Sequence, residues 1–441
     1  MLTGVLSFLH MRGVQIRMQG KWRYLAGVVV ALMVVPAVAA KVCDVRAYGA
    51  KGDGATKDTR AIQMAIDDCA KAGGGKVTLS GGTFVSAPVV LRSNITLDIA
   101  AGAVLLGSPD HEDYREMEVF RAPGRQSLIS ADHAENIAIL GEGTIDGNGV
   151  SWWAEARGVK DSGVVGATFF RPRLVVFNYC RHVRMEGVTV KNSPSWQIVP
   201  YYSDGVVLRG IKVLADLPSP NTDAIDPFSS SNVVIDHVYA DVGDDDVAIK
   251  SGEINSPGPD SPARNITITD CTFAHGHGLS IGSELAGGAQ HIHAERIHFK
   301  GTDNGIRIKA NRDRGNDVSD ISFKDIDMDG VKTSILISEY YPKTMPDGPV
   351  AAEPVQRLTP HFHNIRIEDV KSVNSAWAGV IIGLPESHVA DIVLKNVDIQ
   401  AGKGLQVGYA EVKADGLRVT TTDGSKPITL GPDGVVKPVA K

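Results

Sequence analysis

The chain has 441 residues, 43% of them hydrophobic and 22% charged, with 45 basic against 51 acidic side chains and a net charge of −6. That length is ample for one large core and too long for a small stapled domain, and the apolar share excludes a disordered chain. The near balance of charge excludes a chain-wide field for polyanions such as nucleic acid, so a basic site for an acidic ligand must be local.

The first element in chain order reads as an export signal. Lys21, Trp22 and Arg23 precede an apolar run over residues 24–35, followed by Pro36-Ala37-Val38-Ala39-Ala40. A basic segment, a short apolar segment and small residues at a cleavage site have that layout. Residues 1–40 are read as a signal peptide, with Met18 a more compact start than Met1, and 41–441 as one secreted or periplasmic domain. The run is too short to span a bilayer comfortably, and no membrane association is expected after cleavage. Cys43 and Cys69 could oxidise in an exported protein, whereas Cys180 and Cys271 fall where core residues recur and read as buried thiols.

Residues 58–71 predict a helix. Capping-type residues open it, Ile62, Ala65, Ile66 and Cys69 fall on one face, and Gly73-Gly74-Gly75 ends it. A helix there would cover the exposed end of a strand stack. An imperfect repeat follows, in which a polar residue is succeeded by alternating apolar positions. It shows in Asn94-Ile95-Thr96-Leu97 and Asn136-Ile137-Ala138-Ile139, then from His182, Gly205, Asn232, Asn265, His291, Asp320, Asn364 and Asp391. From 182 the copies begin 23 to 44 residues apart. Period-two alternation recurring at about one coil length predicts stacked strands around a continuous core. No amphipathic run of ten or more residues separates the strands, so an all-β parallel β-helix is expected. Stacked asparagines are expected inside it. The segments 108–133, 148–172, 251–264 and 338–363 read as loops walling a groove, with Trp152 and Trp153 as sugar platform or loop packing.

Four segments between copies align on their apolar residues: Asn221-Thr222-Asp223-Ala224-Ile225, Asp244-Asp245-Asp246-Val247, Gly276-His277-Gly278-Leu279 and Gly305-Ile306-Arg307-Ile308-Lys309. Asp223, Asp245 and His277 each precede the first inward residue by two, and Arg307 and Lys309 alternate with inward residues. At roughly 4.8 Å per rung this predicts one outward column, acidic then basic, along the solenoid. Carboxylates supply acid and base for glycosidic cleavage, and Arg and Lys pair with a substrate carboxylate. The histidine pairs 275/277, 291/293 and 361/363 lack a third ligand at recognisable spacing, so neither a metal nor another cofactor is expected.

These segments, with Arg171-Pro172-Arg173-Leu174, Asn192-Ser193-Pro194 and Ile249-Lys250-Ser251-Gly252, resemble the signatures of the polygalacturonases, glycoside hydrolase family 28. Ala224 and Asp246 depart from that pattern, which usually has Gly and Cys or Asn there. The resemblance implies a right-handed, single-stranded, pectin-lyase-like parallel β-helix with a short N-terminal capping helix. It also implies inverting hydrolysis of α-1,4-galacturonosidic bonds in pectin or its oligomers, by a monomer. Under it Asp244 is the general acid and Asp223 with Asp245 activates water. His277 tunes the acid, Asn221 joins the substrate-binding set, and Arg307 and Lys309 hold the galacturonate carboxylate. Tyr341 touches the sugar, with Tyr340 its rival. A pectate lyase and a non-catalytic glycan-binding β-helix are the alternatives, separable by unsaturated products with calcium dependence, or by binding without turnover.

Overall fold

The computed structural model describes residues 41–164, 168–252, 261–342 and 348–439. The signal-peptide reading and most of the 251–264 loop lie outside them. From Lys41 the chain winds into three parallel strand ladders, each strand bonding to its counterpart one coil later. One ladder runs through Gly75–Leu79, Ile95–Ile99, Glu135–Gly141, Arg181–Glu186 and Asp204–Arg209. The ladder that carries the site runs through Val89–Val90, Ile129–Asp132, Val175–Asn178 and Ile198–Tyr201. It continues through bridges at Ile225 and Phe228 to Val247–Ile249, Leu279–Ile281, Asn304–Lys309 and Thr333–Ser338. The expected all-β parallel β-helix is what forms.

The polar residues that open each repeat have a shared backbone reason. Asn94, Asn136, His182, Gly205, Asn232, Asn265, His291, Asp320, Asn364 and Asp391 all have φ between 49° and 71°. Asn, Asp, His and Gly tolerate this left-handed corner best. The asparagine ladder therefore lies outside the core, contrary to expectation: Asn232, Asn265 and Asn364 are exposed. Asn265 still donates to Asn232 at 3.1 Å, as Asn136 does to Asn94 at 2.9 Å. Inside, the alternating Ile, Val and Leu stack rung on rung, fully buried.

Helix α1 (Thr59–Lys71) buries Ala61, Ile62, Ala65, Ile66 and Cys69 against the first rungs, as the pattern predicts. Asp58 does not cap it through its side chain. Its carboxylate instead accepts from the amides of Lys51 and Gly52 at 2.7 and 2.9 Å. A Cys43–Cys69 disulfide fastens α1 to the first strand across 26 residues, while Cys180 and Cys271 are buried thiols. Closing a loop of that size is worth about 3 kcal/mol. Cys69→Ser is expected to lower unfolding free energy by about that much in urea titration, and reductant should have the same effect on the parent chain. Unchanged midpoints in both would contradict a structural role.

A second helix, α2 (Val150–Asp161), falls within the predicted loop 148–172. It buries both tryptophans: Trp152 stacks on His111 at 3.5 Å, and Trp153 Nε1 donates to the Ser193 carbonyl at 2.9 Å. They are packing residues, not a sugar platform. Among the described residues no helix is long and apolar enough to cross a membrane.

Candidate active site

Strand register decides where the chemistry-bearing side chains project. Ile198, Ile225, Val247, Leu279 and Ile306 succeed one another along the ladder. Asp223, Asp245 and His277, each two residues earlier, thus occupy equivalent places on consecutive rungs. Arg307 is aligned with Ser280 and Ala248, and Lys309 is two residues further along the same strand. The expected single column is therefore a set of parallel columns. The side chains nonetheless converge, because the long cations reach back across the strand: Arg307 Nη1 lies 3.0 Å from Asp245 Oδ1 and Lys309 Nζ 3.0 Å from Asp245 Oδ2.

The glycines flanking His277 are structural necessities. Gly276 has φ +40°, and a Cβ there would stand 2.5 Å from Asp246 Oδ2. Gly278 has φ +86°, and its Cβ would meet the Asn304 carbonyl at 2.0 Å. Backbone passing this close holds His277 between two carboxylates, Nδ1 at 2.9 Å from Asp244 and Nε2 at 3.4 Å from Asp303. The hydrogen bond to Asp244 raises the imidazole pKa above its ordinary value, against the opposing effect of burial.

The three aspartates differ sharply in environment. Asp244 is the accessible one, its side chain 20% exposed, with Asn221 Nδ2 at 3.3 Å from its second oxygen. Asn221 is itself oriented by Arg171, whose Nη2 donates to its Oδ1 at 2.7 Å. Asp223 and Asp245 lie beneath, both buried. Burial, then the neighbouring Asp244 charge, pushes Asp223 up to about 7, against the pull of Lys250. Burial acts on Asp245 too, but Lys309, Arg307 and Lys250 outweigh it and hold that carboxylate well below the usual range. The pair is therefore split into one anion and one proton store.

Several further groups, to which the sequence pattern assigns no chemical role, surround these aspartates. Lys250 is buried with Nζ 3.5 Å from Asp223, 3.5 Å from Asp226 and 3.7 Å from Glu284. Burial disfavours its charge, but those three and Asp245 hold its pKa well above normal. Its position in register with Gly282 and Lys309 was a signal that could have found it. Ser280 Oγ donates to Asp245 Oδ1 at 2.8 Å. Asp226 and Asp246 are wholly buried, and burial raises both well above the carboxylate range. Both Asp226 oxygens and Asp223 Oδ1 lack a hydrogen-bond partner among the described residues, a need that a proton held between the two carboxyls would meet.

Tyr341 is distinguished from Tyr340 by position. Lys309 Nζ and the Arg307 guanidinium lie 5.3 and 5.5 Å from the Tyr341 ring centre, whereas Tyr340 faces Arg312. Neighbouring rungs also supply the third ligand-type group that sequence spacing hides: Asp317 comes to 2.7 Å from His363 and 3.7 Å from His361. Asp244, Asp245 and His277 form a similar group.

Comparison with known proteins follows the same lines. The profile of the glycosyl hydrolases family 28 matches residues 75–415. The chain is 30% identical to a probable polygalacturonase of Vitis vinifera, over 88% of this chain and 80% of that one. It is 30% identical to an endo-polygalacturonase of Pectobacterium carotovorum subsp. carotovorum, over 82% and 89% of the two chains. Among solved structures, an exopolygalacturonase from Thermotoga maritima superposes with a TM-score of 0.70 at 25% identity, over 90% of this chain and 92% of that one.

Proposed function

Given that this chain belongs to glycosyl hydrolases family 28, we propose that it hydrolyses α-1,4-galacturonosidic bonds in polygalacturonate, pectin or their oligomers, using the site just described. The observation that carries this reading is one accessible carboxyl, Asp244, set above a buried, charge-split carboxyl pair, with two cations and a tyrosine alongside. Asp244 protonates the departing glycosidic oxygen, and water is activated by Asp245 with Asp223 beside it. Arg307, Lys309 and Tyr341 receive the galacturonate, and Asn221 and His277 hold Asp244 in place. The family match places the chain among hydrolases, not lyases or non-catalytic β-helices.

The pairing of both cations with Asp245 gives the site a substrate-dependent base. A galacturonate carboxylate arriving at Arg307 and Lys309 shares their charge, so Asp245 loses part of what depresses its pKa. It becomes more basic when a substrate is present to be attacked. Residues 41–441 are proposed to act as a single monomeric domain. Export to the periplasm or cell exterior is supported by the Cys43–Cys69 disulfide and the N-terminal signal pattern.

The test is incubation with polygalacturonic acid, following new reducing ends together with ultraviolet absorbance. Reducing ends without absorbance or calcium dependence are expected; absorbing, unsaturated products would overturn the hydrolytic reading. The pH dependence follows from two groups. Asp223 loses its proton near 7, adding negative charge beside a polyanionic substrate, and His277 loses its positive charge above its ordinary pKa. Both changes act in the same direction, so kcat/KM should fall as pH rises through about 7. A rate that climbs from neutral to alkaline pH would contradict these assignments.

A further inference from the structure

Resting on that reading, we infer that the groove is closed immediately N-terminal to Asp223, so that the enzyme removes short products from a chain end and does not cut within the polymer. Family membership leaves this open; the local geometry decides it.

The outward columns of the site continue onto the preceding rungs. Register places Trp196 and then Arg173 in line with Asp223, and Phe228 and then Tyr201 in line with Lys250. Aromatic rings along a groove floor would offer platforms to further sugars if their faces were open. They are covered. An antiparallel hairpin, Glu116–Val119 with Ala122–Arg125, carries Phe120 and Arg121 at its tip, both in left-handed conformation with φ 55° and 63°. The Phe120 ring stacks on Tyr201 at 4.2 Å and reaches within 6.1 Å of Phe228 and 6.3 Å of Trp196. The Arg173 guanidinium is sandwiched between Phe120 and Trp196, at 4.5 and 4.6 Å from their ring centres. Arg121 Nη2 meets the Tyr202 hydroxyl at 3.0 Å, fixing the tip from its other side.

The distance from this wall to the chemistry is short. Lys250 Nζ lies 4.7 Å above the same Trp196 ring and 3.5 Å from Asp223. Trp196 is one rung before Asp223, so the wall begins roughly 4.8 Å along the axis from the nearest catalytic carboxylate. That spacing leaves room for about one sugar ring on that side. The hairpin base is anchored by Arg125, which donates to the Tyr114 carbonyl at 2.9 Å and to Glu116 at 3.0 Å. Beyond the wall lies a separate cavity of about 310 Å³, lined by the hairpin and by rungs up to Asn178, with no residue of the site. Phe120 lines this cavity and also faces Trp196, so the hairpin tip stands between the two spaces.

The test compares viscosity loss with reducing-end release during digestion of polygalacturonic acid, with early products sized. The full chain is expected to yield mono- or digalacturonate from the start while viscosity barely falls. Replacing residues 118–123 by Asn-Gly, or the milder Phe120→Ala with Arg121→Ala, should raise viscosity loss per bond cut several-fold and bring longer early oligomers. An immediate collapse of viscosity with mid-sized oligomers from the parent chain would overturn end-directed cutting while leaving the hydrolase reading intact. An unchanged viscosity-to-cleavage ratio in both folded variants would overturn the hairpin as the wall. Absence of any new reducing ends would sink the underlying reading and this inference with it.

Discussion

Asparagine at position 244 is expected to lower kcat on polygalacturonate by about a thousandfold, within the range that a positioned general acid contributes. The substitution is nearly isosteric, so the contacts to Asn221 and His277 can persist in altered hydrogen-bond form. What disappears is the carboxyl proposed to donate a proton, at the most exposed aspartate of the three. Because the loss concerns proton transfer in the transition state, KM should stay within about threefold of the parent value. Retention of more than about a tenth of parental kcat would remove Asp244 from the acid role, because general-acid loss is rarely so mild.

Methionine at position 309 should produce the second large effect, and a different one. Lys309 pairs with Asp245 at 3.0 Å, and on the proposed reading it also receives the galacturonate carboxylate. Losing one hydrogen bond to a charged group costs about 1.5–3 kcal/mol, so KM should rise by roughly 10- to 150-fold. Asp245 also loses the largest of the charges that hold its pKa down, leaving Arg307 as the nearer of its remaining counter-ions. The acid limb of the pH–rate profile should accordingly move to higher pH, a shift that simple loss of packing would not produce. Unchanged KM in a folded Lys309→Met protein would contradict the carboxylate-binding role.

How much of this was legible in the sequence follows from which interactions are periodic. Period-two alternation fixes which residues face in, so the parallel solenoid and the shared rung positions of Asp223, Asp245 and His277 could be read directly. The alternation also exposed Arg307 and Lys309 as outward residues. It could not show that their side chains reach back to Asp245, because that depends on side-chain length and strand twist. No chemical role is readable for Lys250, Ser280 and Glu284 for the same reason: Lys250 and Ser280 meet the aspartates from different parts of their rungs, and Glu284 meets Lys250.

Local pattern misled in two places. Helix α2 opens at Gly149 without a side-chain cap and buries adjacent residues, Trp152 and Trp153, in place of an i, i+3, i+4 stripe, so periodicity had nothing to detect. Recurrence in register points the asparagine ladder into the solenoid. Recurrence there reflects a left-handed corner, which puts the residue outside. The hairpin that carries Phe120 is an excursion from the repeat, and its contacts with Tyr201 and Arg173 are purely tertiary.

The most direct test of the central claim, that water is activated by the buried carboxyl pair beneath Asp244, is proton NMR of the reducing end first formed from polygalacturonic acid. Inverting attack on an α linkage predicts that the β anomer appears first and mutarotates afterwards. An α anomer appearing first would contradict the account.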